Sequence, residues 1–203
     1  RGNMSRNNEL IGYQMSNASN NTLVGNRADN NYQDGFSIDP NSDSNVFRGN
    51  FATNNTKAGF KFDQAKYNQV RGNRSVGNDF GLQLTLSSGN KFTQNDLLGN
   101  DTGIQIENAA DSETVFQNNI SGNNLFNLYD AANLAGKFHR NWWGSADEVS
   151  IAAKYSDTNT PFRPYRFTQV DTREGADTVA PERPDTVTLD TTVIDQITVK
   201  WSN

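Results

Sequence analysis

Asparagine returns at a fixed interval through the first two thirds of this chain, and that interval limits the fold more than any other feature. Asn3, Asn26, Asn50, Asn73, Asn95, Asn118 and Asn141 are separated by 23, 24, 23, 22, 23 and 23 residues. A second column, Asn8, Asn31, Asn55, Asn78, Asn100 and Asn123, keeps step with the first. Three places before each member of the first column, from Asn26 onward, stands an apolar residue: Leu23, Phe47, Val70, Phe92, Val115 and Phe138. A Gly-apolar-x-apolar signature follows the second column at Gly12-Tyr13-Gln14-Met15, Gly35-Phe36-Ser37-Ile38, Gly59-Phe60-Lys61-Phe62, Gly81-Leu82-Gln83-Leu84 and Gly103-Ile104-Gln105-Ile106. Period-2 alternation marks a strand, and this repeat is too short for a pair of helices.

Each repeat therefore holds two or three short strands joined by turns. Such strands bury their inward stripe only by stacking repeat on repeat, at about 4.8 Å per step. The expected fold is all-β: a right-handed parallel β-helix, a solenoid of about six coils of 22 to 24 residues, the hand being that of nearly all parallel crossovers. A corner asparagine is expected to serve twice, tolerating left-handed backbone and bonding to the same amide one coil away. That repeated role accounts for 30 asparagines in 203 residues, 28 of them at or before Asn141.

Composition narrows the partners. Only 33% of residues are hydrophobic, yet 12 Phe, 6 Tyr and 3 Trp need burial, so the chain folds rather than staying disordered. A net charge of -5 argues against nucleic acid or an anionic membrane, both held by clustered Lys and Arg. No apolar run approaches the roughly 18 residues of a membrane span. Zero cysteines exclude disulfides, a thiolate zinc site and a cysteine nucleophile. Arg1-Gly2-Asn3 already reads as the inside of a repeat, so the sequence is expected to be a piece of a longer chain.

The organisation expected is a β-helix over 1–145, an irregular capping tail over 146–170, a polar linker over 171–184 and the truncated start of a β-sandwich over 185–203. Trp142 and Trp143, after Asn141, are expected to form the end cap, because a solenoid end otherwise exposes core and unpaired strand edges. Two alternating stretches, Thr186-Val187-Thr188-Leu189 and Gln196 to Trp201, read as strands. The run from Ala180-Pro181 to Trp201 resembles the opening of a fibronectin type III domain.

The Asn-rich coils and the Asn141-Trp142-Trp143-Gly144 ending resemble the right-handed parallel β-helix proteins of the carbohydrate-binding and sugar-hydrolase group, the periplasmic NosD-like proteins among them. Within that group, Asn26 to Phe36 followed by Ala58-Gly59-Phe60 is similar to the catalytic module of mannuronan C5-epimerases. The resemblance implies this scaffold and a polyuronate setting. That family carries an Asp-Pro-His-Glu motif one coil earlier and a histidine before the later Gly-Phe; here Gln14-Met15-Ser16-Asn17 and Ala58 occupy those places.

Epimerisation or β-elimination at a uronate needs a group to neutralise the carboxylate, a base for the C5 proton and an acid. Two outward columns qualify as carriers: Gln14, Ser37, Lys61, Gln83, Gln105, and beside it Ser16, Asp39, Asp63, Thr85, Glu107. Lys61, Asp63 and Asp39, with Arg48 and Arg71 on the same coils, are the candidate substrate-binding cluster; the competing reading is a solvated face whose charges pair with each other. Asn26, Asn50, Asn73, Asn95, Asn118 and Asn141 are read as structural. No metal site is expected. Calcium stays an alternative for the acidic column, although the Gly-Gly-x-Gly-x-Asp repeat is absent. His139, the only histidine, is read as a packed rim residue beside the cap.

Three functions remain open: a polysaccharide-binding module of a secreted or cell-surface multidomain protein, lacking a complete catalytic apparatus; a polyuronate lyase or C5-epimerase whose catalytic coils precede residue 1; and a structural stalk of a surface-layer protein or adhesin. Tyr32, Tyr67 and the tryptophans are candidate stacking surfaces. The partner expected is a polysaccharide, an acidic one included, with end-to-end contacts through uncapped coils as a further option. The location expected is extracellular or at the cell surface.

Overall fold

Every repeat turns three corners, and the strands between them stack into three parallel six-stranded sheets. The computed structural model describes residues 1–108, 112–131, 137–156, 187–190 and 198–201. The first coil contributes β1 (Met4–Arg6), β2 (Tyr13–Met15) and β3 (Thr22–Val24), and the second β4 (Arg27–Asp29), β5 (Phe36–Ile38) and β6 (Val46–Arg48). Then come β7 (Phe51–Thr53), β8 (Ala58–Asp63), β9 (Gln69–Arg71), and β10 (Arg74–Val76), β11 (Phe80–Thr85), β12 (Lys91–Thr93). The last coils are β13 (Asp96–Leu98), β14 (Thr102–Glu107), β15 (Thr114–Phe116), and β16 (Asn119–Ser121), β17 (Phe126–Asp130), β18 (Lys137–His139). The first sheet stacks β1, β4, β7, β10, β13 and β16; the second runs from β2 to β17 and the third from β3 to β18 in the same steps of three. Register follows the sequence repeat, with Ala28 opposite Ala52, Ile38 opposite Phe62 and Phe47 opposite Val70.

The corners show how asparagine is used. Asn50 donates its backbone N–H and its Nδ2 to Asn73 Oδ1, at 2.9 and 3.0 Å, and its Nδ2 also reaches Leu23 O at 3.0 Å. The same pattern climbs the second column, as in Asn55 to Asn78 at 2.8 and 3.0 Å. These ladder residues do not have positive φ. That conformation falls on the residue just before: Gly25, Gly49, Gly72, Gln94, Gln117 and Arg140 in one corner, Asn7, Asn30, Asn54, Gly77, Gly99 and Gly122 in the next. The double role expected of one asparagine is thus divided between neighbours, because a ladder amide must point inward while the chain reverses outside it. A third ladder, unforeseen from the sequence, links Asn21, Asn45, Asn68 and Asn90 between the second and third sheets and ends on Glu113.

The glycine of the strand signature is explained by the second ladder. A Cβ on Gly35 would stand 2.8 Å from both Asn55 Nδ2 and Gly59 O, and 3.0 Å from the Ala52 Cβ. The inward stripe is buried at Phe47, Val70, Phe92, Val115 and Phe138. Leu23, expected among them, is only partly buried, because β3 has a neighbour on one side alone. Beside that stripe Tyr13, Phe36 and Phe60 stack in parallel, with centroids 4.8 Å apart at each step.

The far end is closed by more than two tryptophans. Trp142 is half-buried and extends the first sheet, accepting from Ile120 N and donating to Asn118 O, both at 2.8 Å. Trp143 is the residue that plugs the core, 2% exposed and edge-on to Tyr155 at 4.9 Å. A short helix, α1 (Glu148–Ala152), capped by Asp147 Oδ2 accepting from Ser150 N at 2.8 Å, adds the fully buried Ile151. Residues 146–156 therefore fold over the last coil where irregular chain was expected. The rest of that expected tail and the 171–184 linker lie outside the described residues. Both C-terminal strands are found, β19 (Val187–Asp190) antiparallel to β20 (Thr198–Trp201).

Candidate functional site

Alternation along the second sheet aligns one residue of each strand in a row toward the outer face, although Ser37, expected outward, is only 2% exposed, its Oγ donating to Asp39. Gln14, Ser37, Lys61, Gln83 and Gln105 are cross-strand partners in succession. In the adjacent row Asp63, Thr85 and Glu107 are aligned likewise, with Asp39 just past the end of β5. The side chains are tied to one another. Asp39 accepts from Gln14 Nε2 at 2.6 Å and from Ser37 Oγ at 2.7 Å. Lys61 Nζ lies 3.9 Å from Asp63 Oδ2, and Gln105 Nε2 donates to Glu107 Oε1 at 2.8 Å. The two ends of the Lys61–Asp63 pair are 29% and 28% exposed, so both remain available to a ligand lying on the face.

Asp34, at the edge of this face, was not singled out by its sequence spacing. Burial raises its carboxyl above the usual range, while the Ala58 N–H at 2.9 Å and the nearby Lys61 and Lys57 charges pull the other way. Tyr32, on the corner before β5, is 69% exposed, and Tyr67, on the corner after β8, is 64% exposed. The second sheet thus has a polar floor with a tyrosine on either flank.

Of the five expected substrate contacts, the structure brings together Lys61 and Asp63, with Asp39 in the neighbouring strand's row. Arg48 and Arg71 belong elsewhere: they are cross-strand partners on the third sheet, around the corner formed by Gln64 to Asn68. Both are exposed. Arg71 Nε donates to Gln94 Oε1, and neither arginine is ion-paired among the described residues. His139 lies on β18 of the same sheet, its ring 5.0 Å from that of Phe116.

Glu113 closes the third ladder as a carboxyl only 1% exposed. Oε1 accepts from Ser87 Oγ at 3.0 Å and Asn90 Nδ2 at 2.9 Å, while Oε2 is buried with no hydrogen-bond partner among the described residues. Burial, outweighing those donors, pushes its pKa from 4.5 to about 7. A carboxyl with a raised folded-state pKa favours the fold fully below the unfolded value, and this contribution is lost as pH rises through about 7. Urea titrations should show stability falling between pH 4.5 and 7 by on the order of 2–3 kcal/mol. Glu113→Gln should remove most of that slope and stabilise the protein at pH 8; an unchanged slope would refute the assignment.

Residues 1–160 match the family model described as periplasmic copper-binding protein (NosD). No curated protein matches the sequence. Among solved structures, the periplasmic alginate epimerase AlgG is similar at 19% identity with a TM-score of 0.66, over 70% of this chain and 38% of that one. A doubly substituted form of AlgG gives the same figures, and a singly substituted form a TM-score of 0.63. At that identity the likeness is one of fold, and this chain spans little more than a third of the epimerase.

A protein copper centre draws chiefly on thiolate, thioether or imidazole donors. This chain has no cysteine, and Met4, Met15 and His139 fall on the first, second and third sheets respectively. His139 is five strand steps from the coil of both methionines, about 24 Å along the axis. Among the described residues no three His, Asp or Glu side chains are grouped to hold an ion. The residues present do not fit a copper centre.

Proposed function

The chain belongs to the NosD family, and on that footing we propose that it is a β-helix module that binds a polysaccharide along its second sheet, outside the cytoplasm, without turning it over. One observation carries this reading: the row Gln14, Ser37, Lys61, Gln83, Gln105, aligned strand by strand. It offers one polar group per coil, Asp39 taking the place of the buried Ser37 in the second, and the strand spacing of about 4.8 Å is comparable to the length of one 1,4-linked pyranose residue. Each coil thus meets one sugar. Lys61 supplies a cation for a uronate carboxylate, while Asp39, Asp63 and Glu107 accept from hydroxyls. The periplasmic descriptions of the matching family and of AlgG support the location.

Binding without turnover rests on the proton chemistry. Lys61 is matched with Asp63, and Asp34, the carboxyl with raised proton affinity nearby, is 5% exposed and tied to the Ala58 N–H. A group that positions a uronate without an accessible base holds its substrate but does not react. The alternative, a lyase or epimerase, is favoured by Asp34 alone, since a carboxyl of raised pKa beside a lysine suits acid–base work. Incubation of the purified chain with alginate and polygalacturonate in deuterium oxide separates the two. The expected result is weak binding by calorimetry, no unsaturated uronate and no deuterium at C5. Lys61→Ala should weaken binding about two- to fivefold and flatten its salt dependence. Deuterium incorporation would establish the enzyme instead.

A further inference from the structure

We propose that the corner between the first and second sheets carries a separate site for a neutral pyranose chain, centred on Tyr32. A shallow hollow of about 650 Å³ opens there across the first three coils, lined in part by Asn7, Asn30, Asn54, Glu9, Thr56 and Tyr32. Asn7, Asn30 and Asn54 are the left-handed residues of this corner, at φ 55°, 52° and 54°. In the next three coils the same place is taken by Gly77, Gly99 and Gly122. Backbone geometry alone is therefore satisfied by glycine, and the ladder is built by Asn8, Asn31 and Asn55 next door. The three carboxamides of the hollow have no such duty: they are exposed, and their side chains make no hydrogen bond to protein among the described residues.

The chemistry of the hollow selects its ligand. An exposed tyrosine ring presents an apolar face to the C–H face of a pyranose, and a carboxamide offers one donor and one acceptor to adjacent hydroxyls. Three such amides stand one coil apart, about 4.8 Å, so successive sugars along the axis each meet one. The floor is stiff: Tyr32 N donates to Asn8 O at 2.9 Å and Thr56 N to Asn31 O at 3.0 Å, so little order has to be imposed on binding. No Lys or Arg lines the hollow and Glu9 does, which disfavours a uronate and suits a hydroxyl-only sugar. This ligand class differs from that proposed for the second sheet, and the site stands on different residues.

The test is saturation-transfer NMR and calorimetry with two neutral pentasaccharides, cellopentaose and mannopentaose. At least one should bind at millimolar concentration. Tyr32→Ala should weaken it about tenfold, and Tyr32→Phe, which keeps the ring, should retain it. The double variant Asn30→Gly, Asn54→Gly keeps the backbone conformation that glycine already adopts in the later coils, so it folds and loses only the amides; it too should bind less tightly. Val149→Ala, at an exposed position on α1, should leave neutral-sugar binding unchanged. Failure of both pentasaccharides to bind, binding indifferent to Tyr32 and to the two amides, or a trigalacturonate that binds this corner equally well would overturn the proposal, whatever the outcome for the second sheet.

Discussion

Asn73→Ala should cost roughly 3–6 kcal/mol of stability, more than most single substitutions remove from any domain. The residue sits mid-ladder. Its Oδ1 accepts from Asn50 N and Nδ2 at 2.9 and 3.0 Å, and its Nδ2 donates to Phe47 O and Asn95 Oδ1, both at 3.1 Å. All four residues are buried. Alanine leaves the Asn50 N–H without its acceptor, at about 1–3 kcal/mol for a buried orphan, takes one donor each from Phe47 O and Asn95 Oδ1, and empties the amide's volume. Asn3→Ala, at the open end where the residue is exposed, should cost under about 1 kcal/mol by the same urea titration. Equal losses at the two positions would show that the ladder does not hold the coils together.

Phe92→Ala should cost about 3–5 kcal/mol. Phe92 is 2% exposed, between Val70 and Val115 in the inward stripe, and meets Phe62 edge-on at 5.3 Å; Phe62 in turn meets Phe47 at 5.7 Å. A solenoid cannot collapse around the gap, because every strand flanking the cavity is pinned above and below by its own ladder. The loss should therefore lie toward the upper end of that range, measured as a shift in urea midpoint with unchanged slope. Phe51→Ala offers the contrast: Phe51 is 41% exposed on β7, and its loss should cost under about 1 kcal/mol.

What could be read in advance was whatever the repeat makes redundant. Seven asparagines in step, and an apolar residue three places before the last six, are enough to place Phe47, Val70, Phe92, Val115 and Phe138 in one buried line. The third ladder escaped notice because its last rung is Glu113, and its signal was the same interval carried by Asn21, Asn45, Asn68 and Asn90. The strand β17 escaped because Asn127 replaces the glycine of the signature. That replacement is structural: Asn127 Oδ1 accepts from Asn123 Nδ2 at 2.9 Å and its Nδ2 reaches Trp143 O at 2.9 Å, closing the second ladder where no further coil follows among the described residues. Periodicity also fixes which coil a residue occupies better than which sheet. Lys61 and Asp63 share a strand and were placed together rightly, whereas Arg48 and Arg71 share those coils but lie beyond a corner, because five residues suffice to turn the chain onto another face. Asp34 could not be found by spacing at all, since its raised proton affinity comes from burial at a sheet edge.

The account stands or falls on where a polysaccharide touches the coils. Backbone amide shifts of the isotope-labelled chain, followed during titration with a defined oligomannuronate, measure this directly. The result expected is saturable shifts concentrated on β5, β8, β11 and β14 and on the corner of Tyr67, lost on Lys61→Ala together with Gln83→Ala. Shifts confined to the first or third sheet, or none at millimolar oligomer, would contradict it.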